Sequence, residues 1–100
     1  MTELARTLVE LEDEDLRVLS AVERGMAQRE WVPSHEIPGL ARLPAEEAEY
    51  RVGRLEGEHL ERTGEREIGY RLKAPGYDAL ALDALAERGS VAEVGVKIEV

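Results

Sequence analysis

The sequence predicts an α+β fold, mainly helical: a winged helix-turn-helix with a three-helix core, a small β-hairpin wing and an extra C-terminal helix. Three observations predict it. A short helical segment runs into a longer one at Pro44 with almost no connection. A strand, a glycine and a second strand follow directly through Leu72. A proline-led helix from Pro75 then closes the unit.

Leu4, Leu8, Val9 and Leu11 lie at loosely helical spacing and suggest a short leading helix over the core. Glu12-Asp13-Glu14-Asp15 then crowds four carboxylates against the start of the next helix, where acids cap it and complement its positive end. A metal site would need ligands converging from elsewhere. This helix is expected to run to about Met26, burying Leu16, Leu19, Val22 and Met26. Gly25 stands near its end, where a positive φ is often wanted.

Trp31-Val32-Pro33 is extended, since proline pushes its predecessor out of the α region, and makes a brief third strand for the later hairpin. The tryptophan reads as a plug between helix and sheet, ahead of a base-stacking role. Ser34 caps a second helix with Glu36 in its first turn and Ile37, Leu40 and Leu43 inside, shortened by Pro38 and Gly39. The presenting helix spans Pro44 to Leu60. Its inner face carries Ala45, Ala48, Val52, Leu55 and His59 at steps of three and four. Pro44 suits the first position, and Glu46 and Glu47 complement the dipole. The opposite face carries Glu47, Tyr50, Arg51, Arg54 and Glu58.

In the hairpin, Gly64 marks the turn, while Ile68, Tyr70 and Leu72 alternate as a half-buried return strand. Arg71 and Lys73 point outward, with Arg62 and Arg66 on the other arm and tip. This is the most cationic local surface of the chain, suited to phosphate or to the protection of an edge strand. The last helix is expected to bury Tyr77, Leu80, Ala81, Ala84 and Leu85 and to end at Gly89. Val91 to Val100 alternates like a strand with no partner left, as if the polypeptide continued into another domain. Residues 1–90 are therefore expected to form the winged-helix domain and 91–100 the first strand of the next.

Composition bounds the function. Net charge is −9, and 11 of the 13 basic residues are arginine, which taken as a whole opposes nucleic-acid binding. The distribution is uneven: nine acids face four bases over 1–41, eight face seven over 42–73, and five face two over 74–100. Only the segment with the presenting helix and wing comes near neutrality. An acidic, lysine-poor surface is also that of a salt-adapted protein. The absence of cysteine excludes a disulfide scaffold and a thiolate metal site. His35 and His59 lie on different elements with no further zinc ligands at suitable spacing. No phosphate-cradling glycine loop and no nucleophile triad occurs, so no catalytic or metal residue is assigned. With no membrane-length apolar run and no signal peptide, the chain reads as soluble and cytoplasmic.

Particular wording adds to the pattern. Asp15-Leu16-Arg17-Val18-Leu19, Glu23-Arg24-Gly25-Met26, Glu30-Trp31-Val32-Pro33, Gly69-Tyr70-Arg71-Leu72 and Pro75-Gly76-Tyr77-Asp78-Ala79-Leu80-Ala81-Leu82 resemble the amino-terminal winged-helix domain of the Rio-two atypical serine/threonine kinases, of the archaeal type. Val94-Gly95-Val96-Lys97-Ile98-Glu99-Val100 is similar to the first kinase-lobe strand that follows that domain. The resemblance implies a module that helps an ATP- and magnesium-dependent kinase or ATPase engage rRNA or the precursor small ribosomal subunit. The family's nucleotide and metal residues lie beyond Val100, so this chain is expected to be non-catalytic, a monomer beside its missing kinase lobe. Two departures stand out: Glu46, Glu47, Glu49, Glu56 and Glu58 make this presenting helix less basic than the family's, and Lys73-Ala74 replaces the usual hydroxyl cap.

Three functions compete. In the first, Tyr50, Arg51, Arg54, Arg62, Arg66, Arg71 and Lys73 hold rRNA backbone. The second is a DNA-binding transcription regulator, normally dimeric. The third is a protein-interaction domain whose glutamates meet basic ribosomal proteins.

Overall fold

In the computed structural model, the structure describes residues 11–64 and 66–99, with side chains as far as 86. The elements are α1 (Asp13–Gly25), β1 (Val32–Pro33), a 3-10 turn (Ser34–Glu36), α2 (Ile37–Ala41), α3 (Ala45–Leu55), β2 (Leu60–Thr63), β3 (Gly69–Leu72) and α4 (Ala74–Glu99). This is a winged helix: mainly helical, with one small antiparallel sheet. The expected leading helix falls almost wholly outside the described residues.

Helix α1 is the centre of the core. Val18, Leu19, Ala21 and Val22 are fully buried, whereas Leu16 and Met26 are only partly so. Its first turn is closed by the backbone N–H of Glu12 donating to Asp15 Oδ2 at 3.0 Å, as the acidic start predicts. Gly25 is not a positive-φ terminator. A Cβ there would meet Val32 Cγ2 at 2.6 Å, so the glycine lets β1 approach the end of α1.

The sheet has the order β1-β3-β2, all antiparallel. Val32 faces Tyr70 and Leu60 faces Leu72, placing these four side chains inside. Because β-strand side chains alternate, Val32 fills the core position and Trp31 is turned to the other side. The tryptophan is half-buried under Arg71, whose guanidinium carbon lies 4.3 Å from the ring centroid, and is not the expected plug.

The α2–α3 unit is held from α1. Arg17 donates through Nε to the Ala41 carbonyl at 3.1 Å and through Nη2 to that of Arg42 at 2.5 Å. Arg24 reaches the Leu40 carbonyl at 2.6 Å. Two arginines thus satisfy the orphan carbonyls of a five-residue helix and oppose its negative end. The connection turns through Arg42 in the left-handed region, φ 57 and ψ 47. No side-chain cap from Ser34 forms at the start of the segment.

Helix α4 departs from expectation twice. It buries Gly76 and Ala79, while Tyr77 and Leu85 are exposed, as are Ala81 and Ala84. Small residues make the close contact, so the larger apolar ones are left outside. The helix also continues past Gly89 to Glu99, where a strand was expected. An alternating segment with no strand to pair with among the described residues satisfies its backbone within itself, and each interior glycine, Gly89 and Gly95, costs only about 1 kcal/mol.

Candidate nucleic-acid interface

The sequence places Arg51 and Arg54 on the outer face of the presenting helix. The structure corrects this for Arg51, which is only 7% exposed. Its guanidinium enters an acidic nest, 2.9 Å from Glu12, 3.3 Å from Glu47, 3.4 Å from Asp15 and 3.8 Å from Glu14. Arg54 bonds the other oxygen of Asp15 at 3.2 Å. Asp15 itself is 0% exposed, so one buried carboxylate ties α1 to two arginines of α3. The hydrogen bond that Arg51 donates to Glu12 chiefly holds its pKa above the ordinary value, against the opposing effect of burial; for Arg54 the bond donated to Asp15 does the same. The sequence signal was present: acids at 12 and 15 face bases at 51 and 54, each pair three residues apart on its helix.

What α3 shows to solvent is therefore Ala45, Glu46, Glu49, Tyr50, Gly53 and part of Arg54. Tyr50 is 57% exposed, flanked by the guanidinium carbons of Arg51 at 5.3 Å and Arg54 at 6.0 Å. Ala48, Val52 and Leu55 face the core as their spacing predicts; Ala45 is exposed. His59, beyond the helix end, is buried with neither ring nitrogen bonded among the described residues.

The sheet splits the remaining cations between two faces. Arg71 is opposite Glu61 and on the side of Trp31; it bonds Glu61 at 2.9 Å and Glu30 at 3.0 Å. Lys73 donates to the Gly57 carbonyl. Arg62 is opposite Tyr70 and shares the face turned toward α3, and Arg66 is exposed at the wing tip. Among the described residues, Arg62 and Arg66 make no ion pair. Of the seven expected contact residues, then, Tyr50, Arg54, Arg62 and Arg66 are available on the helix and wing, Arg71 and Lys73 are already engaged, and Arg51 is withdrawn.

Tyr70 links wing to helix through its hydroxyl, 3.3 Å from Glu56 Oε1. Burial, then the negative charge of Glu56, push its pKa above the ordinary value, with Arg62 opposing. A pKa raised by folding gives stability that is complete below the unfolded pKa, about 10, and is lost as pH rises through the folded one. Denaturant titrations should show Tyr70→Phe losing this component: the stability gap between parent and variant narrows above pH of about 10.

Among the described residues no three His, Asp or Glu side chains converge to hold a metal ion, and no helix is long and apolar enough to cross a membrane.

With this geometry in view, comparison with known proteins finds that residues 8–88 match the family model described as Rio2, N-terminal. The RIO-type serine/threonine-protein kinase Rio2 of Methanocaldococcus jannaschii is 36% identical over 77 residues, covering 75% of this chain and 27% of that protein. The chain thus spans about a quarter of that relative's length. A crystal structure of the Rio2 kinase–ADP/Mg2+-phosphoaspartate complex from Chaetomium thermophilum superposes with a TM-score of 0.75 at 35% identity, over 84% of this chain and 26% of that one. MepR, a transcription regulator of the Staphylococcus aureus multidrug efflux pump MepA, superposes with a TM-score of 0.67 at 13% identity, over 92% of this chain and 67% of its own. At that identity the last likeness concerns the fold alone.

Proposed function

We propose, since this chain belongs to the Rio2 N-terminal domain family, that it is the docking module of a RIO-type serine/threonine kinase and grips rRNA backbone of the precursor small ribosomal subunit. The single observation that carries the reading is the pair of exposed wing arginines, Arg62 and Arg66, which make no ion pair among the described residues. A guanidinium that no carboxylate among the described residues engages offers its donor fork to phosphate. Tyr50 and Arg54 extend the grip onto α3, where an aromatic face and a half-engaged guanidinium suit unstacked RNA. Binding of ATP and magnesium, and any phosphoryl transfer, belong to the kinase lobe. That lobe is the second partner of this domain.

The test is a binding titration of the 100-residue chain against a small-subunit rRNA fragment over a range of salt. Arg62→Glu with Arg66→Glu should lower the log–log salt slope by about two and weaken binding about tenfold or more. Both side chains are exposed, so the variant keeps its fold. An unchanged dissociation constant refutes the reading, and tighter binding to duplex DNA than to the rRNA fragment transfers it to a DNA regulator. Arg51→Glu is no substitute: it places a fifth carboxylate among Glu12, Glu14, Asp15 and Glu47 and tests folding instead.

A further inference from the structure

A groove of about 500 Å3 runs between the start of α2, one flank of α3 and strand β3. That volume falls within the range of ordinary ligand pockets. Its floor is apolar and buried, formed by Ile37, Ala48, Val52 and Tyr70. Ile68 stands at its edge, 39% exposed and just ahead of β3, a strand that buries its own apolar side chains. The α3 wall is kept low by small residues: Ala45, Ala48 and Gly53 line it, and a Cβ built on Gly53 meets nothing within 4 Å.

Charge then selects the occupant. Glu49 lines the groove, and Glu46 lies one helical turn before it. Among the described residues neither makes an ion pair, because Arg51 and Arg54 are turned to Asp15. The hydroxyl of Tyr70, which lines the groove, donates to Glu56. The other polar side chains nearby are His35, which lines the groove 3.4 Å from Glu67, and Arg62, on the Tyr70 face of the wing. Burial together with Glu56 and Glu49 disfavours the tyrosinate at the floor, as expected where apolar walls meet negative charge. Phosphate is repelled from such a surface. A cation beside an aliphatic chain is drawn to it.

We propose that this groove is a docking slot for a basic protein segment, in which one aliphatic side chain enters between Ile37, Val52 and Ile68 while adjacent lysine or arginine residues meet Glu49 and Glu46. The slot is an amphipathic-segment site of the groove type: burial of the anchor supplies affinity, and the carboxylates supply selection and steering. It does not rest on the nucleic-acid reading, because Arg62 and Arg66 take no part in holding the segment.

The experiment follows backbone amide shifts of the isotope-labelled full chain during titration with the blocked synthetic peptide Lys-Arg-Leu-Lys-Lys-Leu-Arg. Saturable shifts at Ile37, Val52, Gly53 and Ile68 are expected, and they should vanish when the leucines are replaced by serine. Glu49→Lys, which reverses the wall charge, and Gly53→Trp, which fills the space, should each weaken binding about tenfold or more. Both positions are exposed on α3, and replacing a mid-helix glycine favours the helix, so the variants remain folded. Binding unchanged in both variants overturns the proposal. So does the absence of saturable shifts, or occupation of the same amides by an oligouridylate.

Discussion

Asp15→Ala is expected to cost the chain about 3–5 kcal/mol, the range for breaking a buried pair by removing one partner. The side chain is 0% exposed and has three commitments: the Glu12 backbone N–H at 3.0 Å, Arg51 at 3.4 Å and Arg54 at 3.2 Å. Its removal opens the first turn of α1 and leaves the mostly buried Arg51 without its innermost counterion. Small domains have a total stability of about 5–15 kcal/mol, so a large share is lost. Urea unfolding followed by circular dichroism measures it. Asp15→Asn keeps the shape and an acceptor but not the charge, and should fall between parent and alanine. The double change Asp15→Leu with Arg51→Met should recover much of the loss, since apolar residues of similar volume often replace a buried pair at no net cost. A loss below about 1 kcal/mol in Asp15→Ala would show that Glu12, Glu14 and Glu47 suffice to hold the arginine.

Gly76→Val is expected to destabilise by about 3 kcal/mol, the upper end of the usual range for overpacking. A Cβ at this position comes within 2.6 Å of the His59 carbonyl oxygen and 3.0 Å of Leu72 Cδ2. The carbonyl cannot step aside freely, because it accepts the Lys73 N–H at 2.9 Å. Gly76→Ala adds the same clash but gains up to about 1 kcal/mol of helix propensity, so a smaller net loss is expected. Gly53→Ala reverses the sign: nothing stands within 4 Å of its Cβ, and the chain should gain about 0.5–1 kcal/mol. Thermal unfolding of the three variants orders them. Equal effects at Gly53 and Gly76 would mean that α4 does not seat against His59.

What could be read from the sequence, and what could not, divides by the range of the interaction. The sheet was legible because alternation at Tyr70 and Leu72, the turn at Gly64 and the proline after Val32 are local. The inner face of α3 was legible in Ala48, Val52 and Leu55 for the same reason. Arg51 was misplaced because its partners lie 36 to 39 residues away, apart from the nearby Glu47, and helical spacing assigns a charge to solvent unless a distant acid claims it. Trp31 and Arg71 cover one another at the sheet surface for a similarly distant reason. The contact face of α4 was missed because Gly76 and Ala79 do the packing, whereas a hydrophobicity pattern favours Tyr77 and Leu85. In the candidate site, position along the chain identified the cations; ion pairs formed only in three dimensions decided which of them stay available.

The clasp of Arg17 and Arg24 on the carbonyls of Leu40, Ala41 and Arg42 carries a consequence for how such a domain changes over generations. Those bonds engage only main chain, so the turn between α2 and α3 that they hold is indifferent to which side chains its residues carry. The exposed face of α3 apart from Arg54 can change its charge, while the turn ahead of it keeps its bearing.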